Sequence, residues 1–208
     1  VYESASVSEN VAVFDSNSNK VVIVWKDDNN SNYGTAIVGN IDASNNTISF
    51  GSQVVFESAE SRFFSLAFDS SSNKIVIAYT DIGNSSYGTA IIGTVSGTSI
   101  SFGTPVVFES GTTNYKGIAF DSNSNKVVLS FKDVGNSNYG TALVGTVSGT
   151  NISFGSSSVF ESAQSNFMAA VFDSNSNKVV IAYQDAGDGD AGKAVVATVS
   201  GTNISFGS

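Results

Sequence analysis

Carboxylates are the reactive groups this chain carries in quantity: 18 Asp and Glu stand against 9 Lys and Arg, with no His and no Cys. Two carboxylates across a cleft can cleave a glycosidic bond, one as acid and the other as base or nucleophile. Several in one flexible loop can hold a hard cation such as Ca2+. Other chemistries are closed off. Without imidazole a serine triad has no base, and without His or Cys zinc loses its preferred ligands. The one arginine, Arg62, cannot make the cluster that clamps a substrate carboxylate.

The acids are not scattered. Glu3, Glu57, Glu109 and Glu161 recur at one repeat position, and Asp27, Asp81, Asp133 and Asp185 at another. A residue present once per repeat is expected to serve the repeat, by capping turns and satisfying backbone donors. A carboxylate pair for glycosidase or lyase chemistry stays open as an alternative. The segment DAGDGDAGK (Asp185 to Lys193) gathers Asp185, Asp188 and Asp190 in one Gly-rich loop, a candidate site for a hard cation, most simply calcium, against the alternative of a solvated acidic loop. DSNSN resembles the first half of a calcium loop but lacks its Gly and its distant Glu, and reads as a turn.

A second group is marked by how the copies differ. After each FES-type tripeptide the chain reads ASVSEN (Ala5 to Asn10), AESRFF (Ala59 to Phe64), GTTNYK (Gly111 to Lys116) and AQSNFM (Ala163 to Met168). Phe63, Tyr115 and Phe167 are equivalent, with Glu9 in the first copy, and Arg62, Asn114 and Asn166 precede them. Aromatic faces beside amides and one guanidinium suit a sugar ring, whose C–H face stacks while its hydroxyls bond the amides. The alternative is that these aromatics plug the top of the core.

What must position these groups is a repeat. DSNSNKVV or its near copy begins at Asp15, Asp69, Asp121 and Asp173, a period of about 52 residues, the length at which propeller blades recur. Each copy carries four strand signals, in copy two SLAFD (Ser65 to Asp69), KIVIAY (Lys74 to Tyr79), GTAIIGTV (Gly88 to Val95) and ISFGTPVVF (Ile100 to Phe108). The middle two are near-continuous apolar runs, as strands buried on both faces are. DSNSNK closes the first hairpin through an Asx-turn at the Asp and a left-handed Asn. The expected fold is an all-β, four-bladed β-propeller of four-stranded antiparallel blades, one domain over residues 1–208, with repeats near 1–53, 54–105, 106–157 and 158–208. Small residues, Ala12, Ala67, Ala119 and Ala169 or Ala170, would line the axis.

Closure is expected where the termini meet. The chain ends ISFGS (Ile204 to Ser208) and begins VYES (Val1 to Ser4), the two halves of one outer strand, so the N-terminus should complete the fourth blade; a half-ring that pairs into eight blades is the alternative. The chain opens in mid-repeat with no signal peptide, as an excised or processed piece would. A net charge of −9 argues against nucleic acid and anionic membrane surfaces, and no apolar run is long enough to span a bilayer.

FDSNSNKVVIAYQDAG (Phe172 to Gly187), YGTALVGTVSGTNISFGS (Tyr139 to Ser156) and VVFESGTTNY (Val106 to Tyr115) resemble repeats of tail-fibre-like and surface proteins of marine phages and aquatic bacteria. That resemblance covers the whole chain and implies an extracellular or virion-surface adhesion role. The resulting expectation is a non-enzymatic module that recognises a glycan or surface receptor, as a monomer or a dimer of rings, with no cofactor beyond a Ca2+ at Asp185, Asp188 and Asp190. The alternatives are a structural spacer and the carboxylate-based glycosidase or lyase.

Overall fold

A computed structural model describes residues 1–207. Each repeat becomes one four-stranded unit. The first holds β1 (Val7–Asp15), β2 (Lys20–Asp27), β3 (Tyr33–Asp42) and β4 (Thr47–Phe50); the second β5 (Val54–Asp69), β6 (Lys74–Asp81), β7 (Tyr87–Ser96) and β8 (Ser99–Phe102). The third holds β9 (Val106–Asp121), β10 (Lys126–Asp133), β11 (Tyr139–Ser148) and β12 (Asn151–Phe154); the fourth β13 (Ser158–Asp173), β14 (Lys178–Asp185), β15 (Ala191–Ser200) and β16 (Asn203–Phe206). All pairings are antiparallel.

The hairpin chemistry is as the sequence implies. Asp15 Oδ1 accepts the Asn17 and Ser18 amides, both at 3.0 Å, and Asn19 closes the loop at φ 55°. Asp69 and Asp121 do the same for their own loops. β6 and β10 are buried from their second residue to their last, which accounts for the unbroken apolar runs.

The outer strand departs from expectation. ISFGTPVVF is not one strand: β8 ends at Phe102, and Val106 begins the 16-residue β9. The front of β9 pairs with β7 of the preceding unit, and its back half pairs with β10 as the inner strand of its own unit. β5 and β13 make the same crossing. The segments that differ between copies are therefore bulged stretches inside these long strands, not loops.

This sharing joins the units into one 16-stranded sheet with free ends at β1 and β16, and it corrects the expected closed four-bladed ring: the sheet is open. The N-terminal segment stays on its own unit instead of crossing to β15. The Tyr2 ring packs 5.2 Å from Trp25 and 6.0 Å from Phe50, and its carbonyl accepts Gln53 Nε2 at 2.9 Å. Three apolar layers lie between consecutive units. Val22, Val24 and Val38 face Ile75, Ile77 and Tyr79; Val76, Ala78 and Ile92 face Val127, Leu129 and Phe131; Val128 and Val144 face Val179 and Ile181. Of the small residues, Ala67 and Ala119 are buried, while Ala12 and Ala169 near the free ends are exposed.

Close approach explains one repeated glycine. A Cβ on Gly34, Gly88 or Gly140 would lie 2.6, 2.5 or 2.5 Å from the ring of Phe56, Phe108 or Phe160, the aromatic that the next unit lays across it. At Gly192, the fourth member, nothing comes within 4 Å.

Candidate active site

The loops after β2, β6, β10 and β14 lie at one end of the sheet, and each is organised by its repeat-fixed aspartate. Asp27 Oδ1 accepts the Asn30 amide at 3.2 Å, Asp81 that of Asn84 at 3.0 Å, Asp133 that of Asn136 at 3.1 Å and Asp185 that of Gly187 at 2.8 Å. These acids cap turns, the role that recurrence implies.

Each unit also brings a glutamate to this end, and three of the four take a side-chain donor. Glu3 accepts the Ala5 amide and Gln53 Nε2, each at 2.7 Å. Glu57 takes the Tyr79 hydroxyl at 3.0 Å, and Glu161 that of Tyr183 at 3.0 Å. The tyrosine position in the third unit is Phe131, so Glu109 meets no hydroxyl there. The third unit differs in a second way. Ala59 fills the space beside Gly83, its methyl 2.3 Å from where a Gly83 Cβ would sit, and Ala163 does so beside Gly187 at 2.6 Å. The equivalent residue in the third unit is Gly111, which faces Gly135 without a side chain between them.

The result is a notch with two carboxylates on its walls. A Cβ placed on Gly111 would be 3.5 Å from Glu109 Oε1 and 4.0 Å from Asp133 Oδ1. The two oxygens are thus no farther apart than these distances together. Both groups hold their protons above the ordinary carboxylate range. Burial raises Glu109 and the neighbouring Asp133 charge adds to it, against hydrogen bonds from the Ser110 and Gly111 amides; burial also raises Asp133, against the hydrogen bonds from its turn. Glu57 is raised too, by burial first, but its tyrosine hydrogen bond pulls it back. Sequence reasoning placed Glu109 and Asp133 among the repeat-fixed acids and did not single them out. The signal was there in Phe131 and Gly111, the two breaks in the third repeat.

The aromatics singled out in the sequence do converge. Each long strand, and β1 with it, carries a bulge, and Glu9, Phe63, Tyr115 and Phe167 occupy it at left-handed φ of 53°, 54°, 45° and 52°. A bulge re-aims a side chain, and here it stacks three rings side by side. Phe63 and Tyr115 lie 5.3 Å apart at 65°, Tyr115 and Phe167 4.6 Å apart at 50°. Phe167 is 63% exposed. Glu9 replaces a ring with a carboxylate that accepts the Phe63 amide.

Two lysines lie under this ladder. Lys116 Nζ is 5.8 Å from the Phe63 ring centre, and Lys132 Nζ 5.8 Å from that of Tyr115. Lys116 is buried, donates to Thr80 Oγ1 at 2.5 Å, and has its pKa lowered far below the usual lysine value by desolvation. Lys132 is lowered for the same reason. The polar residues expected beside the rings are largely committed. Asn166 accepts Lys132 Nζ at 3.0 Å and donates to Gln184 at 3.1 Å, Arg62 turns its guanidinium onto Glu60 at 2.7 Å, and Asn114 is half-buried opposite Lys132.

The acidic loop of the fourth unit is organised around a lysine. Lys193 Nζ lies 2.6 Å from Asp185 and 3.1 Å from Asp188, which holds Asp185 below the usual carboxylate range, while Asp190 stands exposed at φ 62°. Among the described residues no cluster of three or more acids has a metal-holding arrangement. No helix among the described residues is long and apolar enough to cross a membrane.

No family model matches the chain, and no curated protein does. Solved structures do resemble it. An exo-β-1,3-galactanase from Phanerochaete chrysosporium, solved with β-1,3-galactotriose, superimposes with a TM-score of 0.58 at 13% identity, over 99% of this chain and 53% of that one. The same enzyme with galactose gives 0.57 at 12% identity. The exo-β-1,3-galactanase 1,3Gal43A from Clostridium thermocellum gives 0.56 at 12% identity, over 97% and 48%. The likeness is one of fold, and the chain spans about half the length of these enzymes. None of the three is a tail-fibre or adhesion protein. The expectation of a non-enzymatic recognition module is corrected by this comparison: these three structures are of exo-β-1,3-galactanases, enzymes that act on a glycan.

Proposed function

We propose that the chain is a carbohydrate-active module that cleaves a glycosidic bond with Glu109 and Asp133, while the Phe63–Tyr115–Phe167 ladder holds the glycan. The observation that carries this reading is the third-unit notch, where two acids of raised pKa face a space that neighbouring units fill with a methyl group and quench with a tyrosine. Of two such acids, the one that keeps its proton longer can protonate the leaving oxygen, while its ionised partner acts on the other side of the sugar. The ladder lies at the same end of the sheet, on strands that include β9, which also carries Glu109 and Tyr115. Its faces suit the C–H face of a pyranose. The galactanase likeness supports a β-1,3-linked galactan as the first substrate to test.

The test is product release from β-1,3-galacto-oligosaccharides, followed chromatographically. Turnover by the parent that falls at least about 100-fold in Glu109→Gln and in Asp133→Asn, but survives in Glu57→Gln, supports the assignment. Equal turnover in all four proteins, or none in the parent across linkage types, overturns it.

A further inference from the structure

Lys26 and Lys132 hold the same position in the first and third units, each just before the aspartate that caps the turn, but their surroundings differ. Lys26 Nζ lies 3.1 Å from Asp28 Oδ1, a carboxylate two residues on. In the third unit the residue at that place is Val134, and among the described residues no carboxylate comes within 4 Å of Lys132. Lys132 is 9% exposed, and its one acceptor among the described residues is Asn166 Oδ1 at 3.0 Å. An ammonium has three donors, so two are left over. Burial lowers its pKa, with no neighbouring charge to offset the loss.

Lys116 repeats the pattern at the junction of units two and three. Its equivalents in units two and four are Phe64 and Met168, both buried, so an apolar side chain fits the position. The third unit instead places an amine there, 7% exposed and held by Thr80 Oγ1 and the Thr113 carbonyl. Glu9 is the one charge that favours its ionised form, and it does so from beyond 4 Å. The chain has 18 acids against 9 bases, yet neither buried lysine has a carboxylate partner among the described residues. Buried charges are ordinarily paired. Both lysines also lie under the aromatic ladder, each 5.8 Å from a ring centre, Lys116 at Phe63 and Lys132 at Tyr115.

We propose that Lys132, with Lys116 under the adjacent ring, forms a subsite for a negatively charged group on the glycan, a uronate carboxylate or a sulfate ester. This rests on the reading that Phe63, Tyr115 and Phe167 hold a glycan. The ligand's anion takes the role that Asp28 has against Lys26 in the first unit. A sugar stacked on Tyr115 brings a charged substituent at its rim toward the free donors of Lys132. A charge-assisted hydrogen bond of this kind is stronger than a neutral one, and an anion beside the amine returns it to its ionised form. The contact is local. A net charge of −9 opposes extended polyanions, whereas here one charge meets one buried ammonium.

Calorimetric titration of the full chain carrying Glu109→Gln, which leaves the sugar intact, tests this with three matched probes. They are β-1,3-galactotriose, the same trisaccharide with a C6 carboxylate, and the same with a 6-sulfate. At least one acidic form should bind about ten-fold or more tighter than the neutral one, and the tighter of the two identifies the group. Adding Lys132→Gln, which keeps a donor for Asn166, should abolish that preference. So should adding Val134→Asp, which retains the lysine and gives it the counter-ion that Asp28 gives Lys26. Equal binding of the three sugars overturns the subsite and leaves the ladder's role standing, while no binding of any of them overturns both. A preference that survives both substitutions, with only the melting temperature changed, also overturns the subsite.

Discussion

Phe131 stands where Tyr79 and Tyr183 stand in the neighbouring units, and this one missing hydroxyl separates Glu109 from Glu57 and Glu161. Tyr79 donates to Glu57 and Tyr183 to Glu161. The same bonds tie up the phenols: burial and the adjacent carboxylate push Tyr183 up to about 12 and Tyr79 higher still. In the third unit the acid is half-buried without that donor, beside Asp133 and the bare Gly111.

Phe131→Tyr should return a donor to Glu109. A hydrogen bond to the carboxylate favours its ionised form, so the upper pKa of the pair should fall. The alkaline limb of the pH–activity profile should move to lower pH, with the thermal melt changed little. An unmoved limb would show that Glu109 is not part of the titrating pair.

Both acids have folded-state pKa values raised above their ordinary 4.5 and 3.8. The folded protein therefore binds protons more tightly than the unfolded chain. The stability they contribute is full below the ordinary carboxylate range and is lost as pH rises through the raised values. Asp133→Asn removes one of these groups and relieves the other of its charged neighbour. Chemical denaturation from pH 4 to 7 should show a flatter decline for the variant than for the parent. A steeper decline would contradict the sign.

The repeated glycines give an internal comparison. Gly88→Ala and Gly140→Ala would press a Cβ to 2.5 Å from the rings of Phe108 and Phe160. Each should cost about 1–3 kcal/mol, as overpacking does. Gly192→Ala meets nothing within 4 Å and should stay within about 0.5 kcal/mol of the parent in dilute solution. Urea melts of the three variants check this.

Removing the centre of the aromatic ladder should weaken substrate holding without touching the acids. Tyr115→Ala loses contacts to Phe63 at 5.3 Å and Phe167 at 4.6 Å. A stacking loss of roughly 0.5–1.5 kcal/mol corresponds to a KM rise of about two- to ten-fold, with kcat nearly unchanged. A fall in kcat at constant KM would place Tyr115 in the chemistry instead.

Much of this was legible in the letters because it is local. DSNSNK specifies its own turn through Asp15 and Asn19, and the unbroken apolar runs of β6 and β10 announce burial on both faces. The convergence of Phe63, Tyr115 and Phe167 followed from differences between copies. Closure was not legible, because it depends on the angle at which successive units pack, which Tyr2 and Gly192 do not encode by themselves. The unbroken outer strand failed at Gly103 to Pro105, where the chain leaves one unit for the next. The aspartate loop did not gather its acids because Lys193, in the place of Thr141, draws in Asp185 and Asp188.

The most direct measurement of the central claim is a carboxyl-carbon NMR titration of the folded chain, resolved by residue. Glu109 and Asp133 should titrate above the ordinary carboxylate range in coupled steps, with Asp185 below it and the shift of Glu109 reduced in Asp133→Asn. Independent titration of Glu109 and Asp133 at ordinary values would contradict the paired acid–base site.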